Sequence, residues 1–534
     1  MTRRHALPAI LMTAAAASCA WTGGTTAMPD DVVTTNAGSV RGAVAEEHRV
    51  FRGIPYAAPP VGARRWAAPA PAEPWADVRD ATRPGSACAQ VPTAYAAGVG
   101  AGSEDCLFVE VTTPRASSHG APRAVMVWIH GDGAVGSGSL FDARRLAVEG
   151  DVVVVTLNYR LGILGGFGYP GLDGSGTFGL QDQQAALAWV RDNIAAFGGD
   201  PGNVTIFGES YGGLSVTAHL LSPPARGLFH RAIVQSGLAL LDMPAGAVFP
   251  GLEAMESWGW RSAEETEGLG AHVAQLLGCT DASSAPACLR ALPVQDLLAH
   301  TQMFMAYAYG NALLPDEPAG ALRGGASHPV PVISGATRHE HRLFVGLFYE
   351  MAGEPVTAAR YLTLLEAAFG DKAPAIAAEY PASAAPSAAT AWADVLTDRV
   401  WARNTLDQHV ALARRAPVFA YEFADEQAPM YLPFPPSFPA GAFHAAEVPY
   451  LFPDPEADAR FTPDQRALGA QMIRYWTGFA RTGDPNADGL PAWPRFDGPR
   501  SVLSLAPGAG GVRPVDYAAA HRLAFWDRID AARP

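Results

Sequence analysis

Phe197-Gly-Gly-Asp-Pro-Gly-Asn-Val-Thr-Ile-Phe-Gly-Glu-Ser-Tyr-Gly-Gly213 decides how this chain is read. Val204 to Phe207 is short, β-branched and apolar, which predicts a buried strand. Gly208-Glu-Ser-Tyr-Gly212 follows at once and fits G-x-S-x-G. Leu214 to Leu221 then predicts a helix. A bare G-x-S-x-G is a weak signal, because glycine and serine are common. Strand, motif and helix in succession form the context of a nucleophile turn, in which Ser210 sits on a sharp bend with its hydroxyl exposed. Side chains at 208 and 212 would collide with neighbouring backbone. The helix start favours developing negative charge beside that hydroxyl.

The 534 residues are 49% hydrophobic and 17% charged, a globular composition with ample core material. The net charge of −14 argues against nucleic acid and anionic membrane as partners. Lys372 is the only lysine among 38 basic residues. The N-terminus has the form of an export signal, with Arg3-Arg4 before an apolar run from Ala6 to Ala17 and small residues beyond. Cleavage could follow Ala20 or Ala27; the boundaries taken are a signal peptide over 1–27 and one domain over 28–534. The lesser alternative is a lipid anchor on Cys19, since Ala16 to Cys19 lacks the usual leucine. No later stretch reads as a membrane span, no stable membrane partner is expected, and the oligomeric state stays open.

Beyond Cys19, the cysteines are Cys88, Cys106, Cys279 and Cys288, an even number in a chain bearing an export signal. Pairing neighbours gives Cys88–Cys106 and Cys279–Cys288, with free buried thiols as the alternative.

Outward from the serine, Val32 to Arg41 predicts an edge strand or hairpin. Phe51 to Gly62 is proline-rich and reads as a rigid connector. Leu107–Val111, Ala124–Ile129, Asp151–Leu157, Ala232–Gly237 and Val330–Gly335 predict further strands. Gln181 to Ala196 predicts an amphipathic helix. Strands alternating with helices imply a mostly parallel, helix-covered sheet. The stretches 245–325 and 350–425 are helical in pattern and would cover the sheet's carboxyl edge. Ala382 to Ala391 reads as an exposed low-complexity loop.

A serine hydroxyl needs a base within hydrogen-bond reach, and the base needs an acid to orient it. In this kind of fold the order along the chain is Ser, acid, His. Ten histidines follow Ser210, and spacing does not choose among them. His444 follows a proline-rich segment and is one candidate base; Glu340 lies just past a predicted strand and is a candidate acid. His339-Glu340-His341 has no third ligand in view and is a weak metal pattern. No metal or organic cofactor is expected. An oxyanion hole requires backbone N–H groups, one from the residue after the serine, Tyr211, and others from a glycine-rich loop, whose place His130-Gly-Asp-Gly133 occupies.

Taken together, these blocks resemble the type-B carboxylesterase/lipase family, α/β-hydrolases that include the cholinesterases. Phe197 to Gly213 is similar to the family's serine signature, and Glu104-Asp-Cys-Leu-Phe108 to its second signature. Phe51–Trp66, Asn158–Gly162, Phe178–Gln183 and Thr482–Pro485 also resemble family blocks. The resemblance implies an α/β-hydrolase fold with helical insertions over the active site. It implies Ser210 as nucleophile, Glu340 as acid and His444 as base, with the N–H groups of Asp132, Gly133 and Tyr211 as the oxyanion hole. It also implies the two cysteine pairs and a buried Arg65–Glu104 salt bridge.

Three positions depart from the family's pattern. Asp132 stands where a glycine is usual, and a carboxylate beside a developing oxyanion would be unfavourable unless it is turned away or paired. Tyr211 replaces a small residue, so its phenol would narrow the pocket or supply a hydroxyl. Glu110 replaces a smaller residue in the second signature. The segment between Cys88 and Cys106 encloses no tryptophan and only Tyr95, so a choline ester is not the expected substrate. The implied activity is hydrolysis of small carboxylic esters through an acyl-enzyme. The alternatives are a non-catalytic binding protein on the same fold, or an acyl hydrolase acting on amides or other donors.

Overall fold

Val125 to Ile129, Val153 to Val155 and Ile206 to Phe207 are buried on both faces, as expected for strands at the centre of a covered parallel sheet. A computed structural model describes residues 30–93, 100–115 and 121–531. The signal segment, Cys19 and Tyr95 lie outside the described residues.

Among the described residues the main sheet has eleven strands. In chain order they are β1 (Ala43–Val44), β2 (His48–Pro55), β3 (Phe108–Pro114), β4 (Arg123–Ile129), β5 (Val153–Leu157) and β6 (Gly199–Glu209), followed by β7 (Arg231–Gln235), β8 (Val332–Thr337), β9 (Val418–Phe423), β10 (Val502–Leu505) and β11 (Arg513–Val515). Across the sheet the order is β11-β10-β9-β8-β7-β6-β4-β5-β3-β2-β1. From β10 to β5 all pairings are parallel; both flanks are antiparallel. Because β4 lies between β5 and β6, the chain reverses its direction of winding there. The loops after β4 and β6 thus open a crevice at the carboxyl edge.

The side-chain period of two assigns the faces. Val125, Val127 and Ile129 pack in one core with Leu187 and Val190 of helix α1 (Phe178–Asn193). Met126 and Trp128 point the other way, into a core with Met472, Ile473 and Trp476 of the helix Pro463–Thr482. The paired short strands Trp260–Ser262 and Tyr307–Tyr309 bracket the first helical insertion.

Two disulfides join Cys88 to Cys106 and Cys279 to Cys288, as the neighbour pairing has it. Arg65 meets Glu104 through two hydrogen bonds of 2.6 and 2.7 Å. Glu110 on β3 stands 3.5 Å from Arg52 on β2. Val32–Thr34 and Ser39–Arg41 form the expected hairpin.

Three expectations are corrected. Phe51 to Pro55 belongs to strand β2 rather than to a connector: the prolines sit at its end and beyond, while Phe51 and Ile54 are fully buried. Ala382 to Ala391 is not an exposed loop throughout, because Ser387 caps a helix over Ala388–Leu396 and its Ala389 and Ala391 are buried. The stretch 350–425 is not all helical, since β9 occupies its end.

Candidate active site

Strand β6 ends at Glu209 and helix α2 (Tyr211–Leu221) begins two residues later. Ser210 joins them with φ 58° and ψ −123°, a strained conformation for a residue with a side chain. Close backbone approach makes the flanking glycines necessary. A Cβ on Gly212 would stand 2.0 Å from the Ile129 carbonyl, and one on Gly208 would stand 2.6 Å from Gly212. The Ser210 N–H donates to the Gln235 carbonyl of the neighbouring β7 at 2.9 Å, which fixes the bend.

The residues expected as acid and base come from further along the sheet. Helix α3 (Glu340–Val345) starts three residues after β8. Glu340 is fully buried, and its Oε1 accepts from Ser236 Oγ at 2.6 Å and from the Thr337 N–H at 2.7 Å. Its Oε2 lies 2.5 Å from His444 Nδ1. His339 holds the loop that carries His444: its N–H donates to the Ala442 carbonyl, and its Nδ1 accepts from the Ala442 N–H at 3.2 Å. His444 is 4% exposed, and its Nε2 stands 3.2 Å from Glu209 Oε1 without the alignment of a hydrogen bond. His444 therefore turns its second nitrogen toward the residue that precedes Ser210.

Glu209, Glu340 and Glu447 form a buried acidic cluster around His444. Burial pushes the Glu209 carboxyl up to about 8; His444 opposes this, while Glu447 and Glu340 add to it. Burial and Glu340 likewise push Glu447 up to about 7. Burial alone would lower His444, but Glu209 and Glu340 more than reverse this. Glu209 and His444 thus titrate as a coupled pair, burial holding Glu209 toward its uncharged form while the surrounding carboxyls hold His444 toward its charged form.

After β4, the loop His130–Gly133 runs beside Ser210. A Cβ on Gly131 would lie 3.1 Å from Ser210 Cβ. Asp132 adopts φ 71°, and the Gly133 N–H turns back to the Gly131 carbonyl at 3.0 Å, closing a γ-turn. One oxygen of Asp132, Oδ1, accepts from the Ala134 and Val135 N–H groups at 3.0 Å each. The carboxylate is thus paired along its own loop. Gly133 rests on the Tyr211 ring, and that ring packs on Tyr307 with centroids 4.9 Å apart. The Tyr307 hydroxyl in turn meets Ser215 Oγ at 2.7 Å. The ring thus buttresses the loop His130–Gly133 from the side of α2.

His341 places Nε2 2.7 Å from the Ala247 carbonyl and accepts from the Trp401 indole at Nδ1, so both nitrogens are engaged by the protein. Reading residue types and spacing overlooks Ser236, Glu209 and Glu447. Ser236 does carry one faint signal, a polar residue directly after a buried strand, at a strand's carboxyl end.

A family model described as "Carboxylesterase family" matches residues 29–526. The chain belongs to the carboxylesterase family. It is an enzyme, a carboxylic ester hydrolase of type B. Human cocaine esterase is 35% identical over 533 residues, covering 93% of this esterase and 90% of that protein. The para-nitrobenzyl esterase of Bacillus subtilis is 36% identical, covering 88% and 93%. A solved PNB esterase superposes with a TM-score of 0.74 at 33% identity, covering 93% of the esterase and all of that chain. A thermophilic PNB esterase gives 0.73, also at 33% identity, covering 90% and 96%.

Proposed function

We propose that the esterase is exported and hydrolyses small carboxylic esters through a Ser210–His444–Glu340 triad and an acyl-enzyme. The observation that carries the reading is the 2.5 Å contact between Glu340 and His444, whose free nitrogen faces the strained turn bearing Ser210. His444 Nε2 takes the Ser210 proton as Oγ attacks the ester carbonyl. The tetrahedral intermediate collapses as His444 passes that proton to the departing alkoxide, and the alcohol leaves. Water, deprotonated by the same nitrogen, cleaves the acyl-enzyme and restores Ser210. Glu340 holds the Nδ1–H tautomer and stabilises the imidazolium.

The N–H groups of Asp132, Gly133 and Tyr211 form the oxyanion hole, each worth roughly 10²–10³ in rate. Tyr211 occupies the first turn of α2, where N–H groups lack partners within the helix. Gly133 contributes by giving up its bond to Gly131. The cleaved segment is 1–27, and residues 28–534 form one domain; the two disulfides support an oxidising compartment. Among the described residues no helix is long and apolar enough to cross a membrane.

A fluorophosphonate probe followed by peptide mass spectrometry tests the nucleophile. One equivalent on the peptide containing Ser210, with loss of ester hydrolysis, is the expected result. Label on another serine, or full activity after labelling, would overturn the assignment.

A further inference from the structure

His341 follows the acid directly, is fully buried, and bridges two segments distant in sequence. The Trp401 indole can only donate, and it donates to His341 Nδ1 at 3.0 Å. That fixes the other nitrogen as the one bearing hydrogen, and His341 Nε2 donates to the Ala247 carbonyl at 2.7 Å. The His341 N–H donates to Thr397 Oγ1 at 3.1 Å, at the start of the π-helical turn Thr397–Ala402 that carries Trp401. Burial lowers His341 to about 4, so it stays neutral at neutral pH and keeps this pattern.

Trp401 is what reaches the base. Its ring lies 5.0 Å from the His444 ring, and Phe344 lies 5.1 Å from it. Phe344 and Trp401 are themselves stacked, 5.9 Å apart and 11° from parallel. Glu340 grips His444 at one nitrogen only, which leaves the ring free to tilt about that contact. The two aromatic rings supply the second restraint. Trp401 is held by a single hydrogen bond at its edge, and the acceptor is His341.

We infer that His341 is a positioning residue for the base: by anchoring Trp401 it holds an aromatic wall against His444 and keeps Nε2 directed at the Ser210 turn. The inference rests on the reading of His444 as base. It also gives His341, one of the two histidines that flank Glu340, a role within catalysis rather than in metal binding.

The test is steady-state hydrolysis of p-nitrophenyl acetate by three variants, with circular dichroism and Tm as folding checks. His341→Leu keeps bulk and loses both hydrogen bonds; Trp401→Phe keeps a ring and loses the indole N–H; His341→Gln keeps one acceptor and one donor. His341→Leu and Trp401→Phe should each lower kcat about 10-fold or more with KM within about threefold, as expected for a misaimed base. The double variant should lose no more than the worse single, because both act through one contact, and His341→Gln should recover most of kcat. If His341→Leu does not fold, Trp401→Phe decides alone. Folded Trp401→Phe with kcat within about twofold of the wild type would overturn the inference, as would losses that multiply in the double variant. Ser210→Ala separates the two levels: an active Ser210→Ala fails the serine reading, whereas an inert Ser210→Ala beside a fully active Trp401→Phe fails only the role of His341.

Discussion

Gly133 sits against the face of the Tyr211 ring so closely that a Cβ there would stand 2.9 Å from ring carbons. Its φ of 82° also disfavours any side chain. Gly133→Ala should therefore displace the oxyanion loop and lower kcat by about 10²-fold, the loss of one donor. Tyr211→Ala in the same chain should recover part of that loss by removing the ring, while the backbone strain stays. Stopped assays of both variants check this. A Gly133→Ala enzyme at wild-type rate would show that the loop takes no part.

Tyr211→Ala alone removes a ring that directly follows Ser210 and packs on Tyr307. The space it opens adjoins the reacting carbonyl. The ratio of kcat/KM for bulky over small acyl esters should rise. An unchanged ratio across an acyl series would contradict the placement of this residue at the pocket wall.

Glu209 stands 3.2 Å from His444 Nε2, and burial holds its carboxyl up at about 8. Glutamine preserves the neutral form. The acid limb of kcat/KM against pH should therefore move by less than about half a unit in Glu209→Gln. A downward move of a whole unit or more would mean that Glu209 is ionised through that range and supports the base as an anion.

His521 is a second buried histidine between carboxylates, 2.6 Å from Asp398 and 2.7 Å from Glu422. Burial opposes its charge, but those two partners raise it to about 10. Arg338 also binds Glu422, and Arg522 and Tyr380 bind Asp398, so the cluster is closed on every side. The folded pKa lies above the unfolded one of about 6.5, so the folded state holds the extra proton between them. This stability is fully present below about 6.5 and is lost as pH rises through about 10. Denaturant unfolding from pH 6 to 10 should show a steady decline, and His521→Gln should be less stable at pH 7 with a flatter profile. Parallel profiles for the two proteins would show that His521 is uncharged.

The sheet's centre was legible because its strands are continuous apolar runs, and the turn at Ser210 because the period changes there from two to a helical one. Strand β9 was not legible, because Glu422 in its middle reads as a surface residue. Only the fold supplies the Arg338 and His521 that make its burial tolerable. Proline at 55 hid β2, although it stands at the strand's last position. Among the site residues, Ser210 announced itself locally. His444 did not: its contact with Glu340 spans 104 positions, and only likeness to a family singled it out among ten histidines. Ser236 and Glu209 acquire their roles purely from what packs beside them.

The central claim is that Ser210 is the nucleophile of an ester hydrolase. The most direct measurement is hydrolysis of p-nitrophenyl esters from acetate to palmitate by purified, oxidised protein and by Ser210→Ala. The account predicts turnover by the wild type that falls to background in the variant at every chain length. Ester hydrolysis that persists in folded Ser210→Ala would contradict it.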